Sequence, residues 1–293
     1  MKKLVALLLV LSLVFSLPIG VSASELEENT SFVVWCPTFP DAYIITESTL
    51  PTRNYDGQTG SLGSISATVF LEEQYDVVDG ELVVTSSHLL SEQEVLDIGI
   101  ENFDDFTVPK NARAATNSRG KLTITFAGTY SYVGNGVSCE LTGTADWAST
   151  GLFDSAANIP ATGEDFIGVT WSGGFSSTNY SISGTTHLGG SLKIYEVDSL
   201  PNSGRVWSFS DVLMLSKYNV VARHIDLNMV IQKNRLEGNG NTAEAVLKYI
   251  HTYSKVEGSI TITPGDKTTS GSFTLSNTDK QWSLVCTVTD IPY

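Results

Sequence analysis

Along most of the chain apolar and polar residues alternate one for one, the period of a β-strand with one face in a core and the other in water. Leu122, Ile124 and Phe126 share one face of such a run while Lys121, Thr123 and Thr125 share the other. Gly134-Asn135-Gly136 interrupts the pattern before Val137, Cys139 and Leu141 resume it, which predicts an antiparallel hairpin. A second hairpin is predicted over 64–87, where two β-prone runs flank Asp79-Gly80, a pair that tolerates the positive φ values of a tight turn. Further runs at 166–171, 191–197, 206–209 and 225–231, then GSITIT, GSFTLS and QWSLVCTVT, keep a regular spacing. Together they predict a mainly β protein whose larger part is an antiparallel β-sandwich.

Two segments break the alternation. At Leu90–Phe103 the period changes to that of a helix: Ser91 is placed as a cap, Glu94 to reach back to it, and Leu90 with Val95 as a hydrophobic staple. Val95, Ile98, Asn102 and Phe103 then fall on one face. The second segment, 242–256, fits both patterns. Asn241 and Glu244 suit a helix start, whereas Ala245, Leu247, Tyr249, His251 and Tyr253 alternate as a strand. The β-forming composition of Tyr249–Tyr253 tips the reading toward strand, joined through Gly238-Asn239-Gly240 to the run at 225–231 as a hairpin. Between the helix and the first long strand, 109–120 is polar and locally basic, so the expected organisation is a hairpin-plus-helix region over 24–110 and a sandwich domain over 111–293.

The first 23 residues stand apart. Lys2 and Lys3 precede an apolar run from Leu4 to Leu17, and the small-residue site Val21-Ser22-Ala23 follows. This reads as a secretory signal peptide over 1–23, with an apolar run too short for a membrane span of about 20 residues. No lipid-attachment cysteine stands beside the cleavage site and no apolar tail closes the sequence, so a secreted protein without a membrane anchor is expected. Removing two lysines and no acid takes the formal charge from −15 to −17. Such a field repels phosphate backbones and anionic lipid, which excludes nucleic acid as an expected partner and leaves extracellular glycan or protein.

Candidate chemistry adds little. Thr170-Trp171-Ser172-Gly173-Gly174 departs from the serine-elbow pattern at its first position, and no helical period follows it. A strand ending in a tight turn, with Trp171 in the core beside Ile167 and Val169, is the expected structure. His88, His187, His224 and His251 are too far apart in sequence to form a local zinc pair, and Gly163-Glu164-Asp165 reads as an acidic turn rather than a calcium loop. Glu92, Glu94, Asp97, Glu101, Asp104 and Asp105 read as a solvated helix face. Trp35, Trp147, Trp171, Trp207 and Trp282 read as core residues, with platforms for sugar rings or partner side chains as the alternative. Cys36, Cys139 and Cys286 read as buried thiols, with a Cys139–Cys286 disulfide as the alternative.

The stretches ARAATNSRGKLTITF, RVWSFSD and KYIHTYS resemble uncharacterised secreted β-rich proteins of Gram-positive bacteria. The resemblance implies no activity. No catalytic or metal-ligating residue is assigned, no cofactor is expected, and the binding residues are left open. The function expected is a non-enzymatic extracellular binding or surface-interaction module; a polysaccharide-acting hydrolase and a structural envelope or matrix component are the alternatives.

Overall fold

Alternation over a dozen or more residues is sustained only where a strand has a partner on each side and a core beneath it. The computed structural model describes residues 32–293 apart from 55–56, 79–80, 104–115, 149–162, 187–188, 211–212, 215–217, 220–221, 239, 254–257, 268 and 277–278. Two antiparallel sheets form a β-sandwich. The first carries six strands: β1 (Phe32–Trp35), β18 (Gln281–Pro292), β15 (Thr242–Thr252), β8 (Glu164–Trp171), β11 (Gly204–Ser210) and β10 (Ile194–Leu200), in that spatial order. The second runs β2 (Ile44–Thr49), β4 (Thr59–Val78), β6 (Thr116–Val133), β7 (Gly136–Trp147), β14 (Ala222–Lys233) and β9 (Ser176–Thr186). Two more strands, β3 (Thr52–Arg53) and β5 (Glu81–Leu89), also pair with β4, and the short β12 (Leu213–Met214) and β13 (Tyr218–Asn219) pair with each other.

Both predicted hairpins form. Val78 opposes Glu81 across the Asp79-Gly80 position, and Val133 opposes Gly136; residues 79 and 80 themselves lie outside the described residues. The inward sets, such as Leu122, Ile124 and Phe126 of β6 and Leu284, Cys286 and Val288 of β18, meet in one core. The helix forms as α1 (Glu92–Ile98), with the Glu94 carboxylate accepting from the Ser91 backbone N–H at 2.8 Å. Val95 and Leu90 pack with Phe70 and Phe103. Phe70 lies between the inward-facing Val69 and Leu71, so α1 covers one end of the outer face of the second sheet.

Residues 242–252 are a strand, as their composition favours, but not a hairpin partner of 225–231. β14 lies in the second sheet and β15 in the first. The reason is burial on both sides: β15 has Leu247 and Tyr249 in the main core and Ile250 in a second cluster on the opposite face, so it takes a central place between β8 and β18. Nor does the sheet pattern change at 110/111. β4 pairs with β6 from Thr59 to Tyr75, β1 pairs with β18, and Ser31–Tyr293 forms one compact unit. The N-terminal strands bury their apolar faces only by joining the same core.

One small hairpin, β16 (Ile260–Thr263) with β17 (Ser272–Leu275), sits on the outer face of the first sheet. Ile262, Phe273 and Leu275 close there over Phe166, Val206 and Ile250. Gly168 makes the approach possible, because a Cβ at that position would stand 2.7 Å from the Phe273 ring. The hairpin leaves the β1 side of the face open.

Candidate functional site

Two places hold charge away from water, one between the sheets and one outside them. The first is centred on His251, whose position in β15 turns it inward in the row Trp282–His251 across the strands. Its Nδ1 lies 3.0 Å from Asp165 Oδ2 of β8, and its Nε2 lies 3.1 Å from Glu73 Oε1 of β4. All three residues are at most 4% exposed. Asp165 also accepts from the Tyr249 hydroxyl at 2.6 Å and from the Thr252 backbone N–H at 2.9 Å. Trp147 donates its indole N–H to Tyr249 at 2.9 Å, and the Trp147 and Trp282 rings pack on the imidazole at 5.3 and 5.0 Å.

Burial alone would lower the imidazole pKa, but Asp165 and then Glu73 reverse this and hold it well above the ordinary 6.5. Each ring nitrogen faces a carboxylate, so both are best served as donors, which makes the group an imidazolium. Because Glu73 belongs to one sheet and His251 with Asp165 to the other, the His251–Glu73 bond crosses the core. The arrangement is a clamp. A sugar cannot reach carboxylates packed under two tryptophans, so this pair offers no route to glycoside hydrolysis. The reading of Gly163-Glu164-Asp165 as an acidic turn is corrected here: Glu164 opens β8, and strand alternation turns Asp165 fully inward.

The second place is a groove of about 500 Å³ on the outer face of the first sheet, beside the β16–β17 hairpin. Its floor is Glu244, Val246 and Lys248 of β15 with Val285 and Thr287 of β18. Residues 269–273 form one wall, and Val33, Trp35 and Pro37 form the open side. Trp35 is 41% exposed and Val33 49%. Both point outward from β1, an edge strand paired on one side only with β18.

Three side chains, two from the floor and Thr170 of β8, fasten the wall. Thr170 Oγ1 donates to the Gly271 carbonyl at 2.6 Å, Lys248 Nζ donates to the Phe273 carbonyl at 2.8 Å, and Glu244 Oε1 accepts from the Ser270 N–H at 2.5 Å. The wall is thereby preorganised. Burial lowers the Lys248 pKa below its ordinary value. Among the described residues no carboxylate forms an ion pair with it, in contrast to Arg119 with Glu72 and Lys233 with Glu237.

The remaining candidates from the sequence fall into place around these two. Trp171 is fully buried and donates its indole N–H to the Phe175 carbonyl, and Gly173 and Gly174 turn the chain with positive φ. Ser172 is buried too, its hydroxyl accepting from the Glu244 N–H, so the serine elbow is absent. Trp207 and Trp282 are core, and Trp147 is partly buried against it. Trp35 departs from the core expectation because its strand is at an edge. His224 lies on the outer face of the second sheet between Asp146 at 2.6 Å and Asp226 at 2.7 Å, away from His251; His187 lies outside the described residues. Among the described residues no group of three or more His, Cys, Asp or Glu is arranged to hold a metal. All three cysteines are buried free thiols, with Cys36 pushed up to about 12 by burial, and the Cys139–Cys286 disulfide does not form. Lys248 and Glu73 carry no sequence signal beyond their strand positions, and Asp165 is hidden in what reads as an acidic turn. No helix among the described residues is long and apolar enough to cross a membrane.

No protein-family model matches the chain, and no curated protein matches it. Solved structures similar to it include the pilus backbone protein RrgB of Streptococcus pneumoniae, at 9% identity and a TM-score of 0.26 over 54% of this chain and 44% of that one. The N-terminal domain of a Streptococcus gordonii adhesin aligns over 80% of this chain and 60% of that one at 9% identity and a TM-score of 0.27. The collagen adhesin of S. aureus aligns over 72% and 88% at 8% identity and a TM-score of 0.22. The chain spans less than two thirds of the first two, and at these TM-scores the superpositions carry no argument about fold or function. Pilus and adhesin proteins of Gram-positive bacteria are thus among the structures similar to it.

Proposed function

We propose that the chain is an extracellular, non-enzymatic binding module whose ligand surface is the groove beside Trp35. The single observation that carries this reading is the pairing of an exposed indole with a preorganised, charged wall and floor on one face of the sandwich. An aromatic ring at a groove rim offers an apolar platform with a polar edge. The surrounding Thr269, Ser270 and Ser272 supply hydroxyls that match those of a glycan. A peptide laid as an extra strand along the wall is disfavoured, because the backbone groups of Ser270, Gly271 and Phe273 already serve Glu244, Thr170 and Lys248. The buried state of Glu73 and Asp165 supports binding over hydrolysis.

A glycan and cell-wall polysaccharide array with the mature protein tests the reading, wild type against Trp35→Ala. Retention of wild type on one or more glycans, with affinity reduced about tenfold by the substitution, is expected for loss of a central aromatic contact. Glycan binding indifferent to Trp35→Ala, or none at all, overturns it.

A further inference from the structure

Resting on the groove as a glycan site, we infer that its ligand is an oligosaccharide bearing a single carboxylate, a hexuronic acid residue seated over Lys248. Within the groove Lys248 is the only cationic side chain lining it among the described residues. Its ammonium carries three N–H donors, and one of them is given to the Phe273 carbonyl. An ammonium drawn out of water with one carbonyl, the Phe273 ring face 5.2 Å away and no carboxylate stands at a cost that an anionic ligand would relieve. The lowered pKa of Lys248, caused by burial, agrees with such a cost.

The groove also selects among anions. A phosphate or sulfate oligomer is met best by several cations, an Arg fork or a nest of free backbone N–H groups. Here one ammonium faces the ligand, and the Ser270 N–H is already committed to Glu244. Glu244 lies four residues before Lys248 on the same strand face, so a polyanion running along the floor would bring a second negative charge to a carboxylate. The formal charge of −15 opposes polyanions at longer range. A monoanion at the Lys248 end and neutral hydroxyls toward Glu244 fit both features. The exposed Trp35 then carries the apolar face of a ring in the same chain.

The test uses oligosaccharides ending in a single hexuronic acid, each paired with its carboxyl-reduced neutral counterpart. Affinities are measured by calorimetry for wild type, Lys248→Met and Trp35→Ala. The acid form is expected to bind wild type about tenfold tighter than its neutral counterpart, the order of one charge-assisted hydrogen bond. Lys248→Met is expected to erase that difference, with the neutral form weakened only as far as release of the Phe273 carbonyl loosens the wall, and a urea unfolding curve like that of wild type shows that the variant is folded; Trp35→Ala weakens both forms. Equal wild-type affinity for acid and neutral forms overturns the inference, as does a preference that persists in Lys248→Met. If either happens while Trp35→Ala still weakens binding, the groove remains a glycan site and only the carboxylate assignment falls. If Trp35→Ala leaves every affinity unchanged, the groove reading falls with it.

Discussion

His251 and Lys248 lie three residues apart on one central strand, on opposite faces, and both are cations removed from water. Their surroundings differ in one respect. His251 is met by two carboxylates, one from each sheet, whereas Lys248 meets a carbonyl and an open groove. The first charge is satisfied within the fold, and Asp165 and Glu73 raise its pKa against the effect of burial; burial lowers the pKa of the second. A buried charge with complete partners belongs to the architecture, and one left with spare donors at a surface opening is the kind on which the proposed ligand site rests.

The sharpest way to break this contrast is to remove each cation in turn. His251→Leu leaves two carboxylates buried without their shared donor, and urea unfolding is expected to show a loss of about 3–5 kcal/mol. Lys248→Met is expected to stay within about 1 kcal/mol of wild type, because it exchanges an incompletely partnered ammonium for a volume-matched apolar end. A large loss in Lys248→Met would make that residue part of the architecture as well.

Between these extremes lies the hairpin that builds the groove wall. Gly168→Ala drives a Cβ against Phe273 and the Arg205 carbonyl, and overpacking of this kind is expected to cost about 1–3 kcal/mol in thermal or urea unfolding. Ligand affinity should fall along with it, since the wall shifts. His251→Leu, at temperatures where it remains folded, should leave that affinity unchanged.

The pH dependence sharpens the comparison without mutation. His251 has its native pKa raised above the ordinary 6.5, so the folded state holds the proton more tightly than the unfolded chain. Its contribution is complete below about pH 6.5 and is lost as pH rises through the native value. Urea midpoints measured from pH 6 upward should therefore decline in wild type and decline less in His251→Leu. A parallel decline in both would remove the clamp from the account.

Much of the local structure was legible. The positions of β6, β7, β8 and β11, the pairing of β4 with β5, the turn at 134–135, and the Ser91–Glu94 helix start follow from patterns a few residues long. The groove and the clamp were not, because both depend on pairings across long stretches of sequence. Glu73 and His251 are 178 residues apart, and Lys248 meets a carbonyl 25 residues on. Trp35 alternates like a core residue, and only its place on an edge strand turns its face to solvent. In the same way β14 and β15 have the composition of a hairpin, yet burial on both faces sends β15 to the other sheet.

The sequence by itself determined a mainly β chain, the faces of most strands, and the helix that caps one end of a sheet. These rest on side-chain period, backbone-restricted turn residues and capping, which act over a few residues. The tertiary structure alone decided which strands neighbour one another, which alternating faces end up outside, and which of the many carboxylates meets a cation. That division has a physical cause: a charge is stabilised or stranded by what lies within a few ångströms of it, and in an antiparallel sandwich those neighbours come from any part of the chain.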